Sequence, residues 1–596
     1  MMNSVRHILF LVFILLLNGS FHSAPERTPP MIYASLPVLD SVFMPDLEQL
    51  PSNYFQSPLD VPLTIVGNFG EPRRAHFHTG LDFRTNQEEG HVVFATADGY
   101  ISRINVSGAG YGNALYITHP NGFVTVYGHL LKFHPRIERR LRAEQYAKEN
   151  FTVDFNLQVN EIAVKQGDTL AFSGNTGGSG GPHLHFEIRD SLERIYNPML
   201  FDYKLKDNIK PTISYLKFYP LDALKNKCDG YRIKPVGKLG QYEIPTGTVK
   251  LNDKLVGISV NAYDGINLSE SHIGIYNMTA FDGDKMIYEF QIDRIAFTDK
   301  RTVFSHIDYP VFMHEGKKSF HKAFKDPGNN CPVYSNLQNR GMVDLSDGKV
   351  HRLHIEISDF AGNVSAVKFN LQYDPASILF KETPFRYTTK FDYDHLNEFS
   401  NSDISLKIPA GCLFDDVYFN YSSFVSVDPS IFSKVHQLDN SNTLSNDWFD
   451  LSIKVENLAT ALNDKAIIVY KGSDGVATAR GGKYEKGFIT TRARDFGSYY
   501  IRIDTTAPKI SPLNVLPGRN MRNYKKLLFK ITDNLSGITD FDTYLDGQWI
   551  VTEYDAKTFT LFHYLNPSLA AGEHTFKVVV TDERNNRSEY SVSFLM

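Results

Sequence analysis

The stretch Gly177-Gly178-Ser179-Gly180-Gly181-Pro182-His183-Leu184-His185-Phe186-Glu187 runs from a glycine-rich turn into a short alternating segment. As a strand, that segment places His183 and His185 on one face and Leu184 and Phe186 on the other. Two imidazoles at that spacing can share one metal, or one can bind metal while the other moves protons. Alone, the pair is equally compatible with a strand that merely carries two histidines.

Two upstream segments give the pair its context. In His78-Thr79-Gly80-Leu81-Asp82-Phe83 a histidine and a carboxylate are separated by roughly 13 Å if the strand is straight, too far to share a tetrahedral ion. Gly80 permits a sharp backbone turn that brings both inward. His78, Asp82 and His185 then form a His-Asp-His set whose fourth position is left to water, the pattern of a catalytic zinc site. In Thr125-Val126-Tyr127-Gly128-His129-Leu130, the residues Thr125, Tyr127 and His129 alternate onto one face.

In this order, HTGLDF, YGHL and SGNTGGSGGPHLHFEIR resemble the signature of the lysostaphin/LytM-type zinc endopeptidases, which cut peptidoglycan peptides. Asn68-Phe69-Gly70, Ala95-Thr96-Ala97-Asp98-Gly99 and Tyr116-Ile117-Thr118-His119-Pro120-Asn121-Gly122 match as well, so the resemblance covers roughly residues 61–200. Position by position it implies that His78, Asp82 and His185 bind Zn2+, and that His129 and His183 are the two catalytic histidines that are not ligands. None of the five is substituted. It also implies a compact antiparallel-sheet peptidase domain of the duplicated hybrid motif type.

The activity so implied is hydrolysis of peptide bonds in bacterial peptidoglycan cross-links or stems by zinc-activated water. His183 takes the water's proton and later protonates the leaving amine, while His129 hydrogen-bonds the water or the developing oxyanion. Which of the two is the base stays open. A non-catalytic wall-binding or regulatory envelope protein is the alternative, against which the intact His129 and His183 count. A third reading makes the β modules dominant, in adhesion or assembly.

The remaining sequence bounds these readings. A formal net charge of -5 and a pI near 6.5 fit neither a nucleic-acid binder nor a polybasic membrane-surface protein. Residues 1–24 read as a secretory signal peptide, with Arg6 and His7 before the apolar run Ile8 to Leu17, which is too short for a comfortable span. The mature chain is then exported, to the periplasm or the cell surface, with no transmembrane segment. Residues 25–60 are a Pro-rich linker or arm. Cys228, Cys331 and Cys412 are too few for a disulfide framework, although Cys228 and Cys331 can pair if one module holds both.

Residues 61–205 alternate short apolar runs with glycines, the pattern of an antiparallel β domain. A helical insertion over 135–150 carries Pro135 in its first turn and the i,i+4 pairs Glu138/Arg142 and Glu144/Lys148. It reads as a solvated rim helix or, more sharply, as a lid beside the groove.

Past residue 205 the chain is expected to hold three β-sandwich-like modules: an immunoglobulin-like one with an insertion (206–375), one of uncertain type (376–503) and a second immunoglobulin-like one (504–596). The first and last share a repeat. Asp207-x-x-x-Pro211-x-Ile213 recurs at Asp504, Pro508 and Ile510, and Asp264 has a looser echo in Asp533. His351, Asp359, Asn363 and Ser365 recur with the same spacing at His574, Asp582, Asn586 and Ser588. The repeated Asp and Asn read as turn formers, with calcium ligation a second reading. The modules can also dock an envelope protein partner.

Overall fold

The computed structural model describes residue 47 and residues 50–203, 205–221, 230–238, 240–267, 269–380 and 386–596. The signal peptide, most of the arm and Cys228 lie outside these. The described chain is mainly β, 46% strand and 8% helix.

In the first domain β1 (Ile65–Gly67), β2 (Leu81–Arg84), β4 (Gly99–Val106), β5 (Asn113–Thr118), β6 (Val124–Gly128), β8 (Val153–Asn156) and β11 (His183–Arg189) form one antiparallel sheet. Its order is β1-β2-β11-β6-β5-β4-β8. A small second sheet joins β3 (Val92–Phe94), β10 (Thr169–Phe172) and β7 (Lys132–Phe133). Strand β11 lies between β2 and β6, with His185 opposite Asp82 on one side and Gly128 on the other. Leu184 and Phe186, alternating with the histidines, are fully buried with Phe83 and Tyr127. The apolar face anchors the strand, and the opposite face carries the polar side chains.

Residues 50–60 of the arm pack at the far end of this sheet. Phe55 meets His119, Phe123 and Phe201 there, beside the start of β6, whereas the histidines lie past its end.

Helix α1 (Pro135–Lys148) forms as its composition predicts, with His134 at its N-cap and both i,i+4 ion pairs made, at 2.7 Å and 3.0 Å. Ile137 and Leu141 enter the core. Much of its outer surface is exposed, as for a solvated rim helix, but one flank meets another module. Arg142 pairs with Glu553 at 3.3 Å and Tyr146 packs edge-on against Trp549, both of the last module.

The modules past residue 205 are sheet-on-sheet. In the first, a five-stranded sheet containing Thr212–Pro220 and Leu255–Tyr263 faces a seven-stranded one containing His351–Ser358 and Val364–Tyr373. The last has a four- and a five-stranded sheet, and both modules include one parallel pair, Gln241–Leu251 with Val364–Tyr373 and Arg519–Asn520 with Arg587–Leu595. The repeated residues do the same work twice. His351 and His574 each bond an aspartate carboxylate at 2.6 Å, and Ser365 and Ser588 each donate to the carbonyl of the repeated proline. Asn363 and Asn586 each donate backbone and side-chain N–H groups to Asp359 and Asp582. The middle module has its own core around Phe391, Leu451 and Ile501. Cys331 and Cys412 are buried thiols.

The modules close on themselves. One hydrophobic core runs through the first domain and the first sandwich, and Ile195 on the first domain's sheet pairs with Ile295 of the sandwich insertion. Arg301 donates to the Ser445 carbonyl, joining first sandwich to middle module, and Lys465 donates to Asn586, joining middle to last. The last module then returns to the first domain through Glu553, Trp549 and Lys557. Among the described residues no helix is long and apolar enough to cross a membrane.

Candidate metal centre

Three ligand-type atoms converge at the junction of β2 and β11. His78 Nε2 and His185 Nδ1 each stand 2.9 Å from Asp82 Oδ1 and 3.1 Å from one another. All three residues are buried. The other ring nitrogen of each histidine is already committed. His78 Nδ1–H donates to the Asn68 carbonyl at 2.8 Å, and His185 Nε2–H donates to Glu187 Oε1 at 2.9 Å. Two imidazole lone pairs and a carboxylate oxygen thus face one point, which a cation satisfies and a single proton satisfies only in part. This donor set fits zinc, which takes His nitrogens and a carboxylate oxygen in tetrahedral array.

Electrostatics agree. Burial disfavours charge on His185, but the Asp82 and Glu187 carboxylates beside it outweigh that and hold its pKa up at about 9. Burial pushes His78 down to about 4 and His129 down to about 3. Burial alone would raise the Asp82 carboxyl, yet His78, His183 and His185 hold it well below its ordinary value. In the metal-free chain a proton therefore occupies the position a metal takes. His185 is raised above its unfolded value of about 6.5, so the stabilisation from that proton is complete below pH 6.5 and is lost as pH rises through about 9. Metal uptake must displace the proton. Between pH 7 and 8.5, apparent zinc affinity is expected to rise about tenfold per pH unit, read by competition with a chromophoric chelator. A flat profile would show that His185 enters the reaction unprotonated.

Gly80 brings His78 and Asp82 together at a bend in the backbone, as expected, but the bend is only part of its role. Its φ lies outside the left-handed region. A Cβ there would collide with the Phe186 carbonyl oxygen and stand 2.9 Å from His185 Cε1 and 3.0 Å from Glu187 Cγ. The glycine lets two backbones approach. Gly80→Ala is expected to cost about 1–3 kcal/mol in urea unfolding and to weaken zinc binding, because it pushes β11 off the site.

His129 is the second departure. Thr125 and Tyr127 point to the core face, where Tyr127 bonds Thr96 and Thr125. A continued strand would send His129 the same way. Instead its backbone is left-handed, with φ 59°, which is uncommon for a residue with a Cβ. The turn swings the ring over to the histidine face, 4.8 Å from the His183 ring and 5.8 Å from that of His185. Its backbone N–H is held by the Tyr111 carbonyl and its Nδ1–H by Thr176, both at 2.8 Å. His183 is fixed alike, with Nδ1–H on the Gly181 carbonyl at 2.8 Å and Nε2 3.4 Å from Asp82 Oδ1. All five predicted residues are gathered here, three as ligand-type atoms and two as rings beside them, each anchored through Nδ1.

A supporting layer escaped the sequence reading. Glu187, fully buried, accepts from Thr79 and Tyr111, both at 2.6 Å, and is paired with Arg189. Arg73 holds Asp82 Oδ2 at 2.9 Å, which leaves Oδ1 for the metal point. Glu187 was findable, since the alternation that places His183 and His185 on one face places it there too. Arg73 and Asn68 carry no such local signal.

Both neighbouring modules grip this layer. The Asn68 side chain makes two hydrogen bonds to the backbone of Gly274, in the first sandwich, while its carbonyl holds His78. Lys557, in the last module, donates to the carbonyls of Asn175 and Ser179, on the loop whose Thr176 and Gly181 carbonyls hold His129 and His183.

Residues 76–147 match Peptidase family M23, and residues 388–504, the module of uncertain type, match the Zu5-like domain. Over 112 residues the chain is 38% identical to the DD-carboxypeptidase/endopeptidase Mpg of Neisseria meningitidis, covering 19% of this chain and 20% of that protein. It is 32% identical over 142 residues to the peptidoglycan DD-endopeptidase ShyC of Vibrio cholerae, covering 23% of this chain and 26% of that one. The catalytic domain of lysostaphin from Staphylococcus simulans is 27% identical, with 22% of this chain and 86% of that chain covered and a TM-score of 0.17. The chain thus spans about a quarter or less of the length of these two curated relatives.

Proposed function

We propose that the M23 domain makes this chain an exported zinc metalloendopeptidase that hydrolyses peptide bonds of bacterial peptidoglycan. One observation carries the reading: His78, Asp82 and His185 converge on a single point with His129 and His183 beside it. Zinc, when bound, supplies Lewis acidity toward the scissile carbonyl and brings the pKa of water toward neutrality.

The chain's own residues do the rest. Asn68 and Glu187 fix the tautomers of His78 and His185, so the nitrogen facing the metal point carries a lone pair. His183, the most exposed of the five side chains at 13%, offers Nε2 to take a proton from water and return it to the leaving amine. His129, whose Nδ1–H is held by a carbonyl and which burial keeps neutral, is left with an Nε2 lone pair that can accept a hydrogen bond from the attacking water. Peptidoglycan as substrate rests on the kinship with Mpg and ShyC, and export on the leader-like first 24 residues.

The test is product analysis after incubating the zinc-loaded full chain with purified peptidoglycan, beside the His183→Ala protein. New peptide fragments from the wild type alone support the proposal and identify the bond. Intact peptidoglycan, with zinc present at one per chain, would refute it.

A further inference from the structure

We infer that Asp207, Asp264 and Asp359 form a calcium site where the first domain meets the first sandwich, and that Asp504, Asp533 and Asp582 form its counterpart in the last module. Each residue of the first triad offers a carboxylate oxygen, and the three oxygens lie within 4.8 Å of one another. They come from separate elements: the segment entering the module, the end of the strand Leu255–Tyr263, and the turn after the strand His351–Ser358. The second triad meets the same distance condition at the repeat-equivalent positions.

Turn formation accounts for only part of this. Asp359 is occupied by the Asn363 backbone and side-chain N–H groups at 2.8 Å and 2.7 Å, and Asp207 by the Ile209 backbone N–H at 3.0 Å. Asp264 is different. It is 2% exposed, and its Oδ1 is buried with no hydrogen-bond partner. No lysine or arginine among the described residues is paired with any of the three. Burial, with Asp359 and Asp207 beside it, pushes the Asp264 carboxyl up to about 8, as expected of an anion without a counter-charge. A buried carboxylate oxygen left unpaired is strongly unfavourable, and a cation shared by three carboxylates removes the penalty.

The last module repeats the pattern. Asp582 accepts from Asn586 twice, at 2.8 Å, and Asp504 from the Ser536 backbone N–H at 2.9 Å. Asp533, half-buried, accepts from the Leu535 and Gly537 backbone N–H groups through Oδ2, while its Oδ1 again is buried with no partner. The nearby ammonium of Lys465 is committed to Asn586 and to the Arg584 carbonyl, not to the carboxylates. Two modules whose insertions differ thus hold one arrangement, with the orphan oxygen on the same member of each triad.

An all-oxygen, triply acidic donor set selects a hard cation and is unlike the histidine-rich zinc centre. Calcium takes six to eight oxygens and tolerates irregular geometry, so three carboxylates leave positions for water and carbonyls. A cavity of about 40 Å3 is lined by all three triad residues together with Asn68, Asn197 and Gly274, enough for a water ligand. Gly274 is the residue clamped by Asn68, whose carbonyl orients His78. Calcium there ties the sandwich to the segment that sets a zinc ligand.

Calcium uptake is read without reference to hydrolysis, so it stands or falls apart from the peptidase. The full chain is stripped with chelator, reloaded with one zinc, and dialysed to equilibrium against radioactive calcium at 1 mM or below. Two calcium ions per chain are expected, one for Asp264→Asn, one for Asp533→Asn and none for the double variant. Asp207→Asn, at a half-buried position, is a second variant of the first triad should Asp264→Asn fail to fold. No uptake by the wild type overturns both sites and leaves the triads as proton-sharing turns. Uptake unchanged by Asp264→Asn and Asp207→Asn overturns the first site, and uptake unchanged by Asp533→Asn overturns the second.

Discussion

His183→Ala is expected to keep one zinc per chain and to lose about 10²–10⁴-fold of its turnover on peptidoglycan, the range of a positioned general acid–base group. The substitution removes that imidazole and leaves His78, Asp82 and His185 with all their supporting bonds. The His183 side chain is mostly buried, so truncation leaves a void, and urea unfolding of the variant checks that the fold survives. Metal analysis of the dialysed protein together with the rate of fragment release separates the roles. His185→Ala must lose both zinc and activity, since it removes the ligand against which Asp82 and Glu187 are set. Loss of zinc from His183→Ala would move that residue into the ligand set.

Replacing Glu187 should damage the fold and the metal centre by different routes. In Glu187→Ala the Arg189 guanidinium, 1% exposed, loses its main partner inside the sheet. Glu193 still holds one side of it at 2.6 Å. The expected cost is about 3 kcal/mol of unfolding free energy, the lower end for a broken buried pair. Glu187→Gln keeps the volume and much of the hydrogen bonding but removes the charge that makes His185 a strong ligand. Its zinc affinity is expected to fall about 10–100-fold with a smaller change in stability. Urea unfolding and chelator competition read the two effects separately, and equal losses in both variants would show that only packing is at stake.

The alternation from His183 to Phe186 was enough to place a strand with a polar and an apolar face, and the packing of Leu184 and Phe186 bears it out, although the polar face is buried too. Local pattern failed where the backbone leaves its regular path. His129 was assigned to the face of Thr125 and Tyr127, and only its left-handed φ takes it across. The bend at Gly80 was legible, but its second role was not, because the close approach of a neighbouring strand has no trace in adjacent residues. Arg73 and the carbonyls of Asn68, Thr176 and Gly181 act through their place in space. The pairing of Arg142 with Glu553 joins residues some four hundred positions apart, and nothing in the helix's amphipathic pattern announces it. The repeat was legible as spacing, and its orphan carboxylate oxygens were not.

The grip of Lys557 on the 175–179 loop also has a history in time. A chain made from its amino end has completed the three zinc ligands once β11 has emerged, whereas Lys557 follows roughly 370 residues later. At about 5–20 residues per second that interval lasts roughly 20–70 s. Throughout it the newborn peptidase domain can fold around its metal while the loop that aims His129 and His183 has no brace. Capacity to hold zinc therefore precedes full alignment of His129 and His183, whose loop is braced only by a stretch synthesised hundreds of residues later.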